Sequence, residues 1–254
     1  MDFSRLERAE LVAMEAAARE VRECRRVLAK TGDNVVSEAL RGAAQFAAWA
    51  HYPEGDVYDP ESHAQFFYHG HGEAERGARE HGHFHTFLRP RGMPPGTRPL
   101  VMPELAIADA PSAPAGPPAP QPNQGADNDE LSHLVAIAMD ETGEPVRLFT
   151  TNRWVTGETW YADADVVTML DRFVVDLARP SWPLNRWITA MFRLFRPQMI
   201  ELLHARDAQV MAWRRRHRGK VHVLEDRRLE VASAIDIDID DQHRRVALAL
   251  KQVA

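Results

Sequence analysis

Seven of the twelve histidines in the 254-residue chain fall between positions 51 and 85: His51, His63, His69, His71, His81, His83 and His85. The densest run is Glu80-His81-Gly82-His83-Phe84-His85. On a β-strand alternate residues share a face, so this spacing sets three imidazoles side by side. Neighbours on that face lie about 6.6–7 Å apart along the strand, and two such imidazoles can lean onto one metal ion. Three in a flat row span about 13 Å, too far for one ion with bonds of about 2.0–2.1 Å. The pattern predicts a metal site built on His83 and His85 and completed from elsewhere. His69 and Glu80 are the next candidates, and His81 joins if Gly82 bends the chain. Imidazole with carboxylate suits zinc, iron, nickel or copper, and the residue types do not choose among them. Crowded imidazoles keep one another neutral near pH 7, ready to coordinate. The plainer alternative is a histidine cluster satisfied by backbone and water.

No HExxH occurs, and positions 86–92 lack the glutamate that would follow the His-x-His of a cupin. Glu80 and Arg153 are the candidates for catalytic work. Arg153 follows a predicted strand in Asn152-Arg153-Trp154, where its planar fork suits a substrate carboxylate or phosphate; a surface salt bridge is the equal alternative. His133 opens a strand and reads as a buried, hydrogen-bonded histidine more readily than as a ligand. Two function classes follow. One is a metal-dependent enzyme acting on a small molecule through an open coordination position, hydrolase and oxidoreductase being equally compatible. The other is a non-catalytic metal-binding or interaction module whose histidines close the coordination sphere.

Two resemblances bear on these readings. His81-Gly82-His83-Phe84-His85-Thr86-Phe87 is similar to the signature of the histidine-triad nucleotide hydrolases. That resemblance implies nucleotidyl chemistry, with His83 attacking an α-phosphate and its flanking histidines orienting it. Gly82 and Thr86 stand where that family carries bulky apolar residues. A second resemblance is carried by Tyr68-His69-Gly70-His71, Glu80-His81-Gly82-His83-Phe84-His85-Thr86-Phe87, Phe149-Thr150-Thr151-Asn152-Arg153-Trp154-Val155-Thr156-Gly157-Glu158 and Arg179-Pro180-Ser181-Trp182-Pro183-Leu184-Asn185-Arg186-Trp187. Together they resemble an uncharacterised bacterial protein family of unknown function over roughly residues 50–205. It implies no activity, only that these segments belong to one site.

The elements that must position these residues read as follows. Residues 3–30 are helical, with Leu6, Ala9, Ala13, Ala17, Val21, Cys24 and Leu28 at three- and four-residue steps and a capping box at Ser4 and Glu7. A second helix spans 37–49, and 51–60 is a loop. Residues 62–79 read as a helix that presents Gln65, His69 and Glu73 on one face. Strands are expected at 83–88, 133–139, 146–151 and 229–239, and helices at 164–177, 184–195, 198–216 and 242–253. The class is α+β: helical N- and C-terminal regions around a small antiparallel sheet, one domain over 1–254. A proline-rich linker or loop interrupts it at about 108–130.

Composition excludes more than it selects. Apolar residues make up 44% and charged residues 27%, and the formal charge of −6 argues against a nucleic-acid binder. The single cysteine, Cys24, rules out an intrachain disulfide and sits on an apolar helix face, where it packs. No secretory signal or apolar run of membrane-spanning length is present, and a cytoplasmic location is the expectation. Residues 186–220 carry a net charge of +7 beside Trp187, Ile188, Met191, Phe192 and Phe195. That is a core helix with a basic outer face, or else a dock for an acidic partner or a membrane surface. Ile235-Asp236-Ile237-Asp238-Ile239-Asp240 reads as a strand with a charged outer face. Phosphate loops, dinucleotide fingerprints and nucleophile elbows are absent.

Six prolines within residues 111–122 leave no apolar periodicity there. Replacing residues 110–126 with a short glycine–serine bridge should leave fold and metal content unchanged, with a loop-entropy effect of about 1 kcal/mol at most. Urea unfolding and metal analysis check this. Loss of metal or of several kcal/mol would mean that the segment docks on the site.

Overall fold

The computed structural model describes residues 3–71, 80–100, 130–217 and 221–253. Apart from Glu130, the linker expected at 108–130 lies outside the described residues, as does Glu73. The fold is α+β. Its centre is a six-stranded antiparallel meander of β1 (Tyr52–Tyr58), β2 (Ala64–Gly70), β3 (Gly82–Leu88), β4 (Ser132–Met139), β5 (Pro145–Thr151) and β6 (Val231–Asp236), in spatial order β1-β2-β3-β4-β5-β6. The helices are α1 (Arg8–Ala29), α2 (Val35–Leu40), α3 (Arg153–Thr156), α4 (Asp163–Leu170), α5 (Trp182–Leu194), α6 (Arg196–Arg216) and α7 (Ile239–Gln252).

The sheet has two chemically different faces. Phe66, Tyr68, Phe84, Leu88, Ile137 and Leu148 point to one side and join a core with Val21, Trp187, Ile188 and Met191 of α1 and α5. Trp187 is fully buried with its ring 5.8 Å from Phe84, and each such side chain contributes roughly 1.5–3 kcal/mol. The alternate residues, among them Phe67, His69, His83, His85, Ala136, Ala138 and Phe149, face the other side.

A bulge in β4 sets what that second face contains. His85 pairs with Ala136 and Phe87 with His133, so two residues of β3 are matched by three of β4. Leu134 and Val135 therefore both turn into the core, and His133 swings onto the face of Ala136 and Ala138. Bulges re-aim side chains in this way. Thr86 anchors it through its hydroxyl, which donates to Val135 O at 2.5 Å.

Several expectations are corrected. Residues 62–79 do not begin a helix: Ala64–Gly70 is β2, where aromatic residues and tertiary pairing outweigh the helical spacing of Gln65 and His69. The loop expected at 51–60 contains β1. The second helix is only Val35–Leu40, capped by the Asn34 carboxamide. Helix α4 stops at Leu170, although Phe173 and Val175 beyond it are buried. The first long helix starts at Arg8, and the capping contact is the Glu7 N–H donating to Glu10 at 3.0 Å. Asp238 leaves β6 to cap α7, accepting from Asp241 N–H at 2.6 Å. In 186–220, Trp187, Ile188, Met191, Phe192 and Phe195 are all within the core. That apolar face is therefore not available to a membrane or partner, and Arg186 and Arg196 pair with Glu20 and Asp171. No helix among the described residues is long and apolar enough to cross a membrane. Cys24 is buried on α1, and burial pushes its thiol up to about 12.

Gly82 does not bend His81 towards its neighbours. It sits where β2 leaves no room for a side chain: a Cβ there would collide with His69 O and lie 2.5 Å from the Tyr68 hydroxyl and 2.7 Å from Gly70 Cα. Gly82→Ala should therefore destabilise the fold by about 1–3 kcal/mol through overpacking, read as a lower urea midpoint. An unchanged midpoint would show that the strands part freely there.

Candidate metal centre

Strand register builds the site. His69 on β2 lies directly opposite His83 on β3, and Phe67 opposite His85. Alternation on β3 puts His83 and His85 on the same face, and the β4 bulge adds His133 beside them. Opposite His85 and His83 stand Ala136 and Ala138, whose small side chains leave the imidazoles room. One ligand atom from each of His69, His83 and His85 lies within 4.8 Å of the others.

The ring nitrogens form two short series. His69 Nε2 is 3.3 Å from His71 Nε2, and His83 Nε2 is 2.9 Å from His85 Nε2. His85 Nδ1 is 3.0 Å from His133 Nε2, and His133 Nδ1 is 3.4 Å from the Thr151 hydroxyl. If His85 offers its Nε2 lone pair to an ion, its Nδ1–H donates to His133, whose own Nδ1–H points at Thr151. That is the outer-shell arrangement that fixes a ligand's tautomer. Phe67 lies 5.2 Å from the His85 ring and Phe149 stands edge-on 5.0 Å from His83. Trp49 stacks on His71 at 4.7 Å and lies 5.4 Å from His69.

Electrostatics suit coordination. Burial, aided by His71 and His51, lowers His69 to about 3. Burial and the neighbouring histidines hold His83 and His85 well below the usual imidazole range. Burial, with Arg206, lowers His133 to about 3. All four are neutral at pH 7 with lone pairs available. His69 Nδ1 and His83 Nδ1 are buried without a hydrogen-bond partner, an expensive arrangement unless something else satisfies these rings. Two nitrogens on one ion at about 2.0–2.1 Å lie about 3–3.4 Å apart in octahedral or tetrahedral geometry. The three residues could hold a metal ion if their rings move to bring the ligand atoms from within 4.8 Å to that spacing. Three nitrogen donors favour zinc, iron, nickel or copper over calcium or magnesium.

The other expected site residues are placed differently. His81 does not join the cluster: its Nδ1 is 2.6 Å from the Tyr68 hydroxyl and its ring packs with Phe46 and Tyr68 on the opposite side of the sheet. The three-histidine row of a histidine-triad hydrolase is therefore not assembled. Glu80 forms an ion pair with Arg147. Both line a cleft of about 810 Å³ that also reaches His71 and His83. Arg153 pairs with Glu225 across 2.5 Å in a half-exposed surface bridge. Asn152 caps α3 and its Nδ2 donates to Val223 O at 2.8 Å.

Arg147 escaped sequence reasoning and enters through register. His71 and Thr151 were named only within longer stretches, and the fold sets them beside His69 and His133. Glu158 lies behind the site, its Oε2 accepting from the His133 backbone N–H at 2.7 Å. It is the last residue of the Phe149–Glu158 stretch singled out in the sequence, which turns the corner after β5 through α3 and Gly157, at φ 64°. Burial raises Glu158 to about 8 despite Arg206 and the His133 N–H.

An α+β chain with a buried histidine cluster beside an open cleft is the class these features define. The model of a family described as a domain of unknown function (DUF6969) matches residues 15–237, and the chain belongs to that family. No curated protein and no solved structure matches the chain.

Glu158 gives a signed pH prediction. Its folded-state pKa is raised, so the stability it contributes is full below about 4.5 and is lost as pH rises towards 8. Glu158→Gln keeps the acceptor for His133 and cannot ionise. In urea titrations with chelator present, the variant should gain on wild type by up to about 1.4 kcal/mol per pH unit across that window. A pH-independent difference would show Glu158 ionised in the fold.

Proposed function

We propose that this chain is a metal-dependent enzyme acting on a small molecule, with His69, His83 and His85 holding a divalent transition ion. The observation that carries the reading is the convergence of three buried, neutral imidazoles, one of which also borders an open cleft. A non-catalytic module would enclose its ion with a full set of protein ligands. Here three ligands come from the sheet, and the side towards His83 opens on space for a substrate. When bound, the ion would supply Lewis acidity, and with iron or copper also redox chemistry. The chain's own residues do the rest. His133 orients His85, the rings of Phe67 and Phe149 exclude water, and Glu80 with Arg147 places a paired acid and base at the cleft wall. Glu80 is the candidate for proton transfer.

Elemental analysis of the purified chain should find about one transition ion per chain, removed by chelator. His83→Ala combined with His85→Ala should abolish it while circular dichroism shows a folded protein. Full occupancy in the folded double variant would refute the site. His133→Ala should retain the ion with about 10- to 100-fold weaker affinity, as expected of an outer-shell partner.

A further inference from the structure

We infer that the cleft beside His83 binds organic cations: its substrate carries an ammonium or guanidinium group remote from the atom that reaches the histidine centre. The inference rests on the proposed metal site for the reactive end and on independent features of the cleft for the cationic end. Among the described residues that line it, seven are carboxylates and two are arginines. Arg147 is paired with Glu80 and Arg25 with Glu144, so each arginine is already matched by one carboxylate, although Arg147 Nε is buried without a hydrogen-bond partner. Five carboxylates remain. Asp140 is turned into its own turn, accepting from the N–H groups of Thr142 and Glu144, and Asp238 caps α7. Asp240 lies 3.8 Å from Arg22. Glu230 and Asp236 are exposed, and neither makes a side-chain hydrogen bond or ion pair among the described residues.

The row of strand partners shows how such a molecule would lie. His69 is opposite His83, His83 opposite Ala138, Ala138 opposite Arg147 and Arg147 opposite Asp236. His83 and Asp236 are thus three strand spacings apart, about 14 Å at the backbone, leaving roughly 10 Å between side chains. At the near end stands the His83 imidazole, only 6% exposed, lining the cleft with its Nδ1 unpartnered. Between the two ends the wall is partly apolar, formed by Phe149, Val231 and Ile237. Small, neutral Ala138 leaves space along this row. A molecule with a cationic head, an aliphatic spacer and a polar reactive end matches that sequence of surfaces. A carboxylate or phosphate head would meet the carboxylate excess of the described lining, seven against two arginines.

The test uses two probes of similar length that share a carboxamide end: 6-aminohexanamide, cationic, and adipic acid monoamide, anionic. Each is titrated calorimetrically into the full chain, both metal-free and zinc-loaded. The same titrations are run on the double variant Glu230→Gln with Asp236→Asn, and on Glu201→Gln, an exposed carboxylate of α6 outside the cleft. Wild type should bind the cation at least tenfold more tightly than the anion, with a preference that weakens as salt rises. The double variant should lose about tenfold in cation affinity while keeping its zinc stoichiometry and melting temperature, and Glu201→Gln should change nothing. Equal binding of the two probes, no binding of either, or unchanged affinity in the double variant would overturn the inference. A cation preference without zinc binding would refute the metal reading alone. One zinc per chain without a cation preference would refute the cleft assignment alone.

Discussion

The pairing of β2 with β3 is the constraint on which the rest of the site depends. With His69 opposite His83, alternation makes His83 and His85 face the same way, and the three rings converge. A one-residue shift of β2 would send Phe66 and Tyr68 to the site face and His69 into the helical core, and a shift of β3 would exchange Phe84 with His83 and His85 in the same way. The core enforces the register: Phe66, Tyr68, Phe84 and Leu88 bury against α1 and α5 only when His69, His83 and His85 face away. Gly82 lets the strands close at the end where the Tyr68 hydroxyl passes over the backbone. The hydrophobic face thus positions the chemical face, and the two cannot be exchanged separately.

Burial then decides the chemical state of the imidazoles. Phe67, Phe87, Phe149 and Trp49 surround the cluster, and removing water disfavours the charged form of each ring. Behind it, His133 and Glu158 form a closed inner wall in which the carboxyl pKa is driven up while the imidazole pKa is driven down. Both shifts share one origin, desolvation. They produce a region that carries little charge of its own at neutral pH despite holding several ionisable groups.

Much of this was legible in the sequence, and what was not has identifiable causes. His83 and His85 were readable as a same-face pair because alternation on a strand is a local property. His69 was placed near them by a different route, as part of a helix, since Gln65, His69 and Glu73 have helical spacing. The aromatic run Phe66-Phe67-Tyr68 was the strand signal that outweighed it. His81 was misjudged because it precedes the first strand residue and turns to the other side with Tyr68. His133 reads in the sequence as a buried, hydrogen-bonded histidine, which it is, but its place beside His85 depends on a bulge that exists only when β4 is laid against β3. The acidic alternation after Ile235 was read as a strand face, which holds up to Asp236. Its proximity to the histidines is a property of strand order, and no local pattern encodes strand order.

Strand order also bears on how the proposed site can carry charge. An ion held by three neutral imidazoles keeps its full double charge, which is costly in a wall of phenylalanines unless negative charge lies within reach. No carboxylate belongs to the triad, and Glu158 is held towards its neutral form. On the other side, the row leads from His83 through Ala138 and Arg147, which is paired with Glu80, to Asp236 on the edge strand β6. On the proposed reading, His133 on the inner side orients His85, while Glu230 and Asp236 act on the far end of the substrate, with Asp236 three strand spacings from His83. The strict alternation of Ile235 and Asp236 in β6 is what allows that edge to pack inward on its helices and stay acidic towards the cleft.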